Sequence, residues 1–439
     1  MKTVALITFG CAKNLVDSEV MAGYLEQAGF ALVADPKKAD IVILNTCGFI
    51  QPSKAEADEA ILEALRRKRK SGSQKIVVTG CYAERYKPVL KEKYPEVDAW
   101  IGVKDFDKIV SVIKGGLFSE SGQTFLYSDI SPRAISTPSS WAYLKISEGC
   151  SHQCAFCAIP LIKGAYQSRD IASIVKETET LACRGIKEIN LISQDTTCFG
   201  TDRGLKNGLA RLLQKMTETR GLDWIRVLYG YPEEITDMLL EVMQDPKICP
   251  YFDIPFQHAD TALVRKMRRA MDGERALKLI KKIRQKISDA AIRTSLLVGF
   301  PGEGRTEFQR LVRFVEEARF DHLGVFTYSR EDGTSAYPLG DPIKETVKQK
   351  RKNEILEIQA AISAENLKKY LGRRLDVLIE GAFKDNSNLL VGRIRTQAPE
   401  VDGVVFVDMP GEAWDARNPI QKVEILTTDV YDLHGKFTR

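Results

Sequence analysis

No apolar run in the sequence approaches the length of a membrane span. The first residues, MKTVALITFGCAKN, lack the pattern of a cleavable export signal, because their apolar stretch is short and strand-like. Neither membrane insertion nor secretion is expected, and a cytoplasmic location is. Cysteine is sparse, nine in 439 residues. In a reducing compartment these thiols do not make a disulfide framework, which leaves metal binding, catalysis or burial as their uses. The charge balance has no strong sign: 64 Lys+Arg against 59 Asp+Glu leave +5, too little to announce a nucleic-acid binder. What is present is bulk, since 44% hydrophobic residues over this length make two or three globular domains with ample core.

Three of the nine cysteines, Cys150, Cys154 and Cys157, stand at C-x3-C-x2-C spacing in KISEGCSHQCAFCAIPLIK. Three thiolates in one short loop make a metal site. Structural zinc takes four ligands, and the nearby candidate for a fourth is His152, which the tight loop would have to turn inward. A [4Fe–4S] cluster also takes four thiolates, so three leave one iron open to an outside molecule. Three more cysteines each follow an apolar run: VALITFG before Cys11, DIVILNT before Cys47 and KIVVTG before Cys81. Such near-continuous runs, separated by helical stretches at 18–28 and 55–65, predict parallel strands buried on both faces. Groups just past the carboxyl ends of such strands gather along one sheet edge. Cys11, Cys47 and Cys81 are therefore expected to converge on a second three-thiolate site, against the blander alternative of three buried structural thiols. The basic run at 66–70 reads as a solvated helix end.

Glycine, serine and proline without periodicity mark a boundary at about 116–140. From 141 to 328, strand-like runs at 142–146, 186–192, 225–229, 252–256, 292–298 and 323–328 alternate with helical segments, which suggests a six-unit β/α barrel or partial barrel. The first Cys loop follows the first of these strands. Other strand ends carry Gln194, His258 and the turn Gly299 to Glu303, while Arg293 lies within the fifth strand; each is as compatible with a turn or barrel-rim role as with a ligand contact. Cys183, Cys198 and Cys249 fit no ligand spacing and are read as structural. A long charged helix at 342–370 precedes short strands separated by Gly, Asn and Pro, which predict a small antiparallel β-barrel of the OB-like kind. Residues 371–439 hold 9 Lys+Arg and 11 Asp+Glu, so this part is mildly acidic.

The loop GCSHQCAFCAIP, with Phe156 just before its third cysteine, resembles the signature of radical S-adenosylmethionine (SAM) enzymes. The whole chain is similar to the methylthiotransferases, and GCAKNLVDSE, NTCGFI, LISQDTT, DIPFQHAD and VGFPGE resemble the RimO type among them. One departure is Gly304-Arg305, where that pattern carries a Thr and an acidic residue. The resemblance implies an α/β protein with an N-terminal Fe–S domain at 1–115, a linker at 116–135, a radical SAM partial barrel at 136–368 and a TRAM domain at 369–439. It implies two [4Fe–4S] clusters, on Cys11, Cys47 and Cys81 and on Cys150, Cys154 and Cys157, with SAM contacted by residues among Phe156, Gln194, Arg293, Gly299 and Glu303. The implied activity adds a methylthio group to the β-carbon of an aspartate in small-subunit ribosomal protein S-twelve. The partners implied are that protein, an electron donor such as flavodoxin or ferredoxin, and a sulfur source, with the enzyme a monomer. The alternative is a tRNA methylthiotransferase acting on a modified adenosine. The acidic C-terminal domain, with Asp402, Asp408 and Glu412, is expected to dock a basic protein rather than RNA.

Overall fold

A computed structural model describes residues 1–116, 122–409 and 417–438. The N-terminal domain is a parallel sheet in which β1 (Thr3–Thr8), β3 (Ile41–Thr46) and β4 (Lys75–Gly80) form the centre and β2 (Ala31–Leu32) and β5 (Ala99–Trp100) the edges, in the order β2-β1-β3-β4-β5. The runs of β3 and β4 are buried on both faces, as their central position requires, while Leu6 and Ile7 of β1 are partly exposed. Helices α1 (Ala12–Gln27), α2 (Gln51–Ser71) and α3 (Cys81–Lys93) follow β1, β3 and β4 directly. The basic run ends α2 and pairs locally, Lys68 with Asp98 at 2.6 Å and Arg69 with Glu96 at 2.9 Å.

The second domain is a partial barrel. Strands β6 (Trp141–Lys145), β7 (Glu188–Ile192) and β8 (Trp224–Val227) form one parallel sheet, and β9 (Tyr251–Asp253), β10 (Ala291–Val298) and β11 (His322–Thr327) the other. A continuous core of Leu, Ile, Val and Phe lies between these strands and the surrounding helices. The C-terminal strands β12 (Arg374–Phe383), β13 (Asn386–Arg393), β14 (Val405–Asp408), β15 (Ile420–Thr428) and β16 (Leu433–Phe437) close a small barrel, the last of them not expected from the sequence.

The two flanking domains cover opposite ends of the partial barrel. The C-terminal domain sits at the strand starts. Glu188, the first residue of β7, is fully buried between Arg226 (2.8 Å) and Arg393 (2.5 Å), and the segment after β13 sends Asp402 against Tyr251, Arg293 and His322. The N-terminal domain sits at the strand ends, where Lys54 and Arg85 both reach Glu331 at 2.8 Å. The boundary segment, of which 117–121 lie outside the described residues, is a packed strap rather than a loose tether. Arg133 bridges Glu19 of α1 (2.6 Å) and Glu177 of the barrel (2.8 Å), and Tyr127 is buried.

Candidate active site

The sheet order puts a topological switch point between β1 and β3, the place where open α/β sheets bind ligands. Cys11 caps α1 just past β1, Cys47 follows β3, and Cys81 opens α3 at the end of β4. Two glycines allow the close approach. A Cβ on Gly10, at φ +92°, would lie 2.7 Å from Cys47 Cβ, and one on Gly48 would lie 2.6 Å from the Tyr82 backbone. Asn14 ties the set together, donating to the Phe9 carbonyl at 3.0 Å and accepting from Cys81 Sγ at 3.6 Å. Burial pushes the Cys81 thiol well up, opposed by the Lys163 ammonium and reinforced by Cys47 and Cys11.

The second set lies in the loop after β6. The Cys157 amide bonds the Cys154 carbonyl at 3.1 Å, and Ala155 is pinned on both sides, to the Met267 carbonyl at 2.9 Å and from the Ala336 amide at 2.7 Å. Burial, with the neighbouring thiols adding to it, raises Cys150 to about 11 and Cys157 to about 12. Thiols that oppose one another's ionisation become thiolates together when a metal takes up the charge, so this donor set fits an iron–sulfur cluster. His152 does not turn inward as a fourth ligand. It stacks on Tyr231 at 3.7 Å and bonds Asp195 at 2.5 Å, which removes the zinc alternative's missing donor.

The two sets adjoin. Cys81 packs in one cluster with Ala158, the residue after Cys157, and with Ile162. Between the domains lies a buried charge network: Lys145 bonds Glu148 at 2.5 Å and also pairs with Asp17 of α1, and Lys163 reaches Asp17 at 3.1 Å and Glu148 at 3.5 Å. Although burial opposes it, the two ammonium groups hold the Glu148 carboxyl down to about 2. Gln194 donates to Glu148 at 2.5 Å, so this residue braces the network beside the second triad. Phe156 is half-buried and packs with Ala155, Leu297 and Phe300 under the loop.

Three residues read as ligand contacts are engaged by the protein itself. The space beside Gly299 is filled by Lys348, whose Cγ would stand 2.4 Å from an added Cβ. Glu303 is buried, accepts from the Gly299 amide at 2.7 Å and pairs with Arg351 at 2.8 Å, so it braces its own turn. Arg293, five positions before the end of β10, is held by Asp253 at 2.9 Å and Asp402 at 3.5 Å. Asp402 is correspondingly buried and unavailable for docking, and Glu412 lies outside the described residues. Of the cysteines read as structural, Cys249 is buried, Cys183 is exposed, and Cys198 stands 3.6 Å from His152 Nε2. Sequence reasoning missed Arg269, whose guanidinium lies 3.7 Å from Cys154 Sγ, and the acid and lysine flanking the Cys loop. The signal for the latter was their place in KISEGC and IPLIK.

Residues 3–102 match the uncharacterized protein family UPF0004, 144–315 the radical SAM superfamily and 371–437 the TRAM domain. The chain is 44% identical to the ribosomal protein uS12 methylthiotransferase RimO of Aquifex aeolicus, over 99% of this chain and 97% of that one. It belongs to the RimO family. A second RimO, from Solibacter usitatus, is 42% identical over 98% of this chain and 94% of its own. Among solved structures, the radical SAM methyltransferase TsrM from Kitasatospora setae, with cobalamin and a [4Fe–4S] cluster bound, matches at a TM-score of 0.55 and 15% identity, covering 76% of this chain and 77% of that one. This last likeness concerns the fold alone.

Proposed function

We infer that this chain is a radical SAM methylthiotransferase that replaces a hydrogen on the β-carbon of an aspartate of ribosomal protein uS12 with a methylthio group. The observation that carries this reading is the junction of two three-thiol sets, Cys81 against Ala158 and Ile162, in a chain of the RimO family. With a [4Fe–4S] cluster on each set and SAM at the second, the cofactors supply hydrogen abstraction from an unactivated carbon and a methylated sulfur for transfer.

The chain's own residues bind, orient and insulate. Cys11, Cys47 and Cys81 would hold the first cluster at a sheet edge, and Cys150, Cys154 and Cys157 would hold the second at a strand end. Arg269 places a positive charge beside Cys154. The network of Asp17, Lys145, Glu148 and Lys163 fixes the separation of the two sets, so that both face one acceptor carbon. Electrons come from a small donor such as flavodoxin or ferredoxin, and sulfur from outside the chain.

Mass spectrometry of uS12 before and after reaction with anaerobically reconstituted enzyme, SAM, sulfide and reductant tests the reading. One methylthio group on one aspartate is expected. Unmodified uS12 beside a methylthiolated adenosine in tRNA under the same conditions would assign the enzyme to the other substrate class.

A further inference from the structure

Five lysines are buried among the described residues, and four of them are ion-paired. Lys54 meets Glu331 at 2.8 Å, Lys145 and Lys163 share Asp17 and Glu148, and Lys348 meets Asp341 at 2.7 Å. Lys13 differs. It is 9% exposed, and its Nζ stands 3.2 Å from the centre of the Tyr229 ring. No carboxylate of the described residues lies within ion-pair range of it. The acid in its surroundings, Asp253, is occupied on both oxygens, accepting from Arg293 Nη1 at 2.9 Å and from the Tyr229 amide at 2.9 Å. This buried ammonium is held by the Tyr229 side chain and the nearby Cys11 thiol, with no carboxylate of its own, so an arriving anion finds a cation without an ion-pair partner. Tyr229 presents that ring from a left-handed backbone conformation, φ +62°, which is uncommon for so bulky a residue and marks a shape held by its surroundings.

The place of this ammonium without a carboxylate partner is specific. Lys13 follows Cys11 by two residues on α1 and reaches across to the end of β8, so its ammonium bridges the domain of the first cysteine set and the barrel of the second. Cys11 itself is exposed. An anion bound here lies beside the first set, at the mouth shared by the two domains. We propose that Lys13 is a positioning residue that holds the side-chain carboxylate of the acceptor aspartate, with Tyr229 as its platform. The β-carbon is one bond from that carboxylate, so anchoring the charge fixes the carbon that exchanges hydrogen for sulfur. This rests on the aspartate reading above and adds the group that recognises it.

The test compares wild-type holoenzyme with Lys13→Gln and Lys13→Arg, each on uS12 carrying its acceptor Asp and on uS12 with that Asp replaced by Asn. Methylthiolated product, 5′-deoxyadenosine and bound iron are measured. Wild type should prefer Asp over Asn in kcat/KM by about ten- to a hundredfold, the worth of a charge-assisted bond. Lys13→Gln should keep iron and deoxyadenosine formation but lose most of that preference, and Lys13→Arg should retain it. A Lys13→Gln enzyme with the full Asp-over-Asn ratio, or one that no longer cleaves SAM, overturns the proposal. If Lys13→Gln fails to hold iron, Lys13→Met repeats the comparison, and iron loss in both assigns Lys13 to the cluster and equally overturns it. A wild-type enzyme that leaves both forms of uS12 unmodified refutes the substrate reading instead.

Discussion

His258 is fully buried, with Nδ1 accepting from the Asp260 amide at 3.0 Å and Nε2 3.7 Å from Glu303. Burial pushes its pKa down to about 4, below the roughly 6.5 of an unfolded chain. The unfolded state therefore takes up the proton first. The stability this neutral ring contributes is complete above pH 6.5 and is lost as the pH falls towards 4, roughly 3 kcal/mol over the window. Replacing His258 by Asn keeps the acceptor for Asp260 and should flatten that part of the pH dependence; urea unfolding at pH 7 and pH 5 for both proteins checks it. An unchanged slope would mean the histidine is not held neutral. At this scale the six cysteines were legible because ligand spacing and strand-end position need no partner to be recognised. Lys13 and Arg269 were not, since their meaning comes from what lies opposite them across a domain boundary. The role of the Gly299 to Glu303 turn was not legible, because a turn that braces itself through Glu303 has the same sequence as one that grips a ligand.

Between elements, the stretches at 142–146, 186–192 and 292–298 were legible as strands because apolar runs between helical segments leave few alternatives. The docking of α1 on the barrel was not, because Asp17, Lys145, Glu148 and Lys163 are ordinary charges until the fold buries them together. Removing one member strands its partners in the interior, which costs about 3–5 kcal/mol. Asp17→Asn should therefore lower the unfolding free energy by that order in urea titration and expose the 122–140 strap to protease, while a surface control such as Glu274→Gln should leave both unchanged. The C-terminal domain makes a similar contact at the barrel base, where Asp402 accepts from Tyr251 at 2.5 Å and from the Ala398 amide at 2.8 Å. Asp402→Ala should cost about 1.5–3 kcal/mol, read as faster amide exchange in 394–404. It should have no effect through docking charge, contrary to what the acidic composition alone suggested.

Across the whole molecule, the partial barrel is a core closed at its base by the TRAM domain and at its mouth by the N-terminal domain, and the two cysteine sets meet at that mouth. The order of domains was readable in the sequence, but their meeting point was not, since Cys81 and Ala158 are brought together only by tertiary packing. The chemistry divides between the two sets, and one variant tests that division. Anaerobically reconstituted wild type should hold about eight irons, and the enzyme with Cys11, Cys47 and Cys81 all replaced by Ala about four. That variant should still form 5′-deoxyadenosine from SAM while transferring no methylthio group to uS12. A folded variant that loses both activities, or that still methylthiolates uS12, would contradict it.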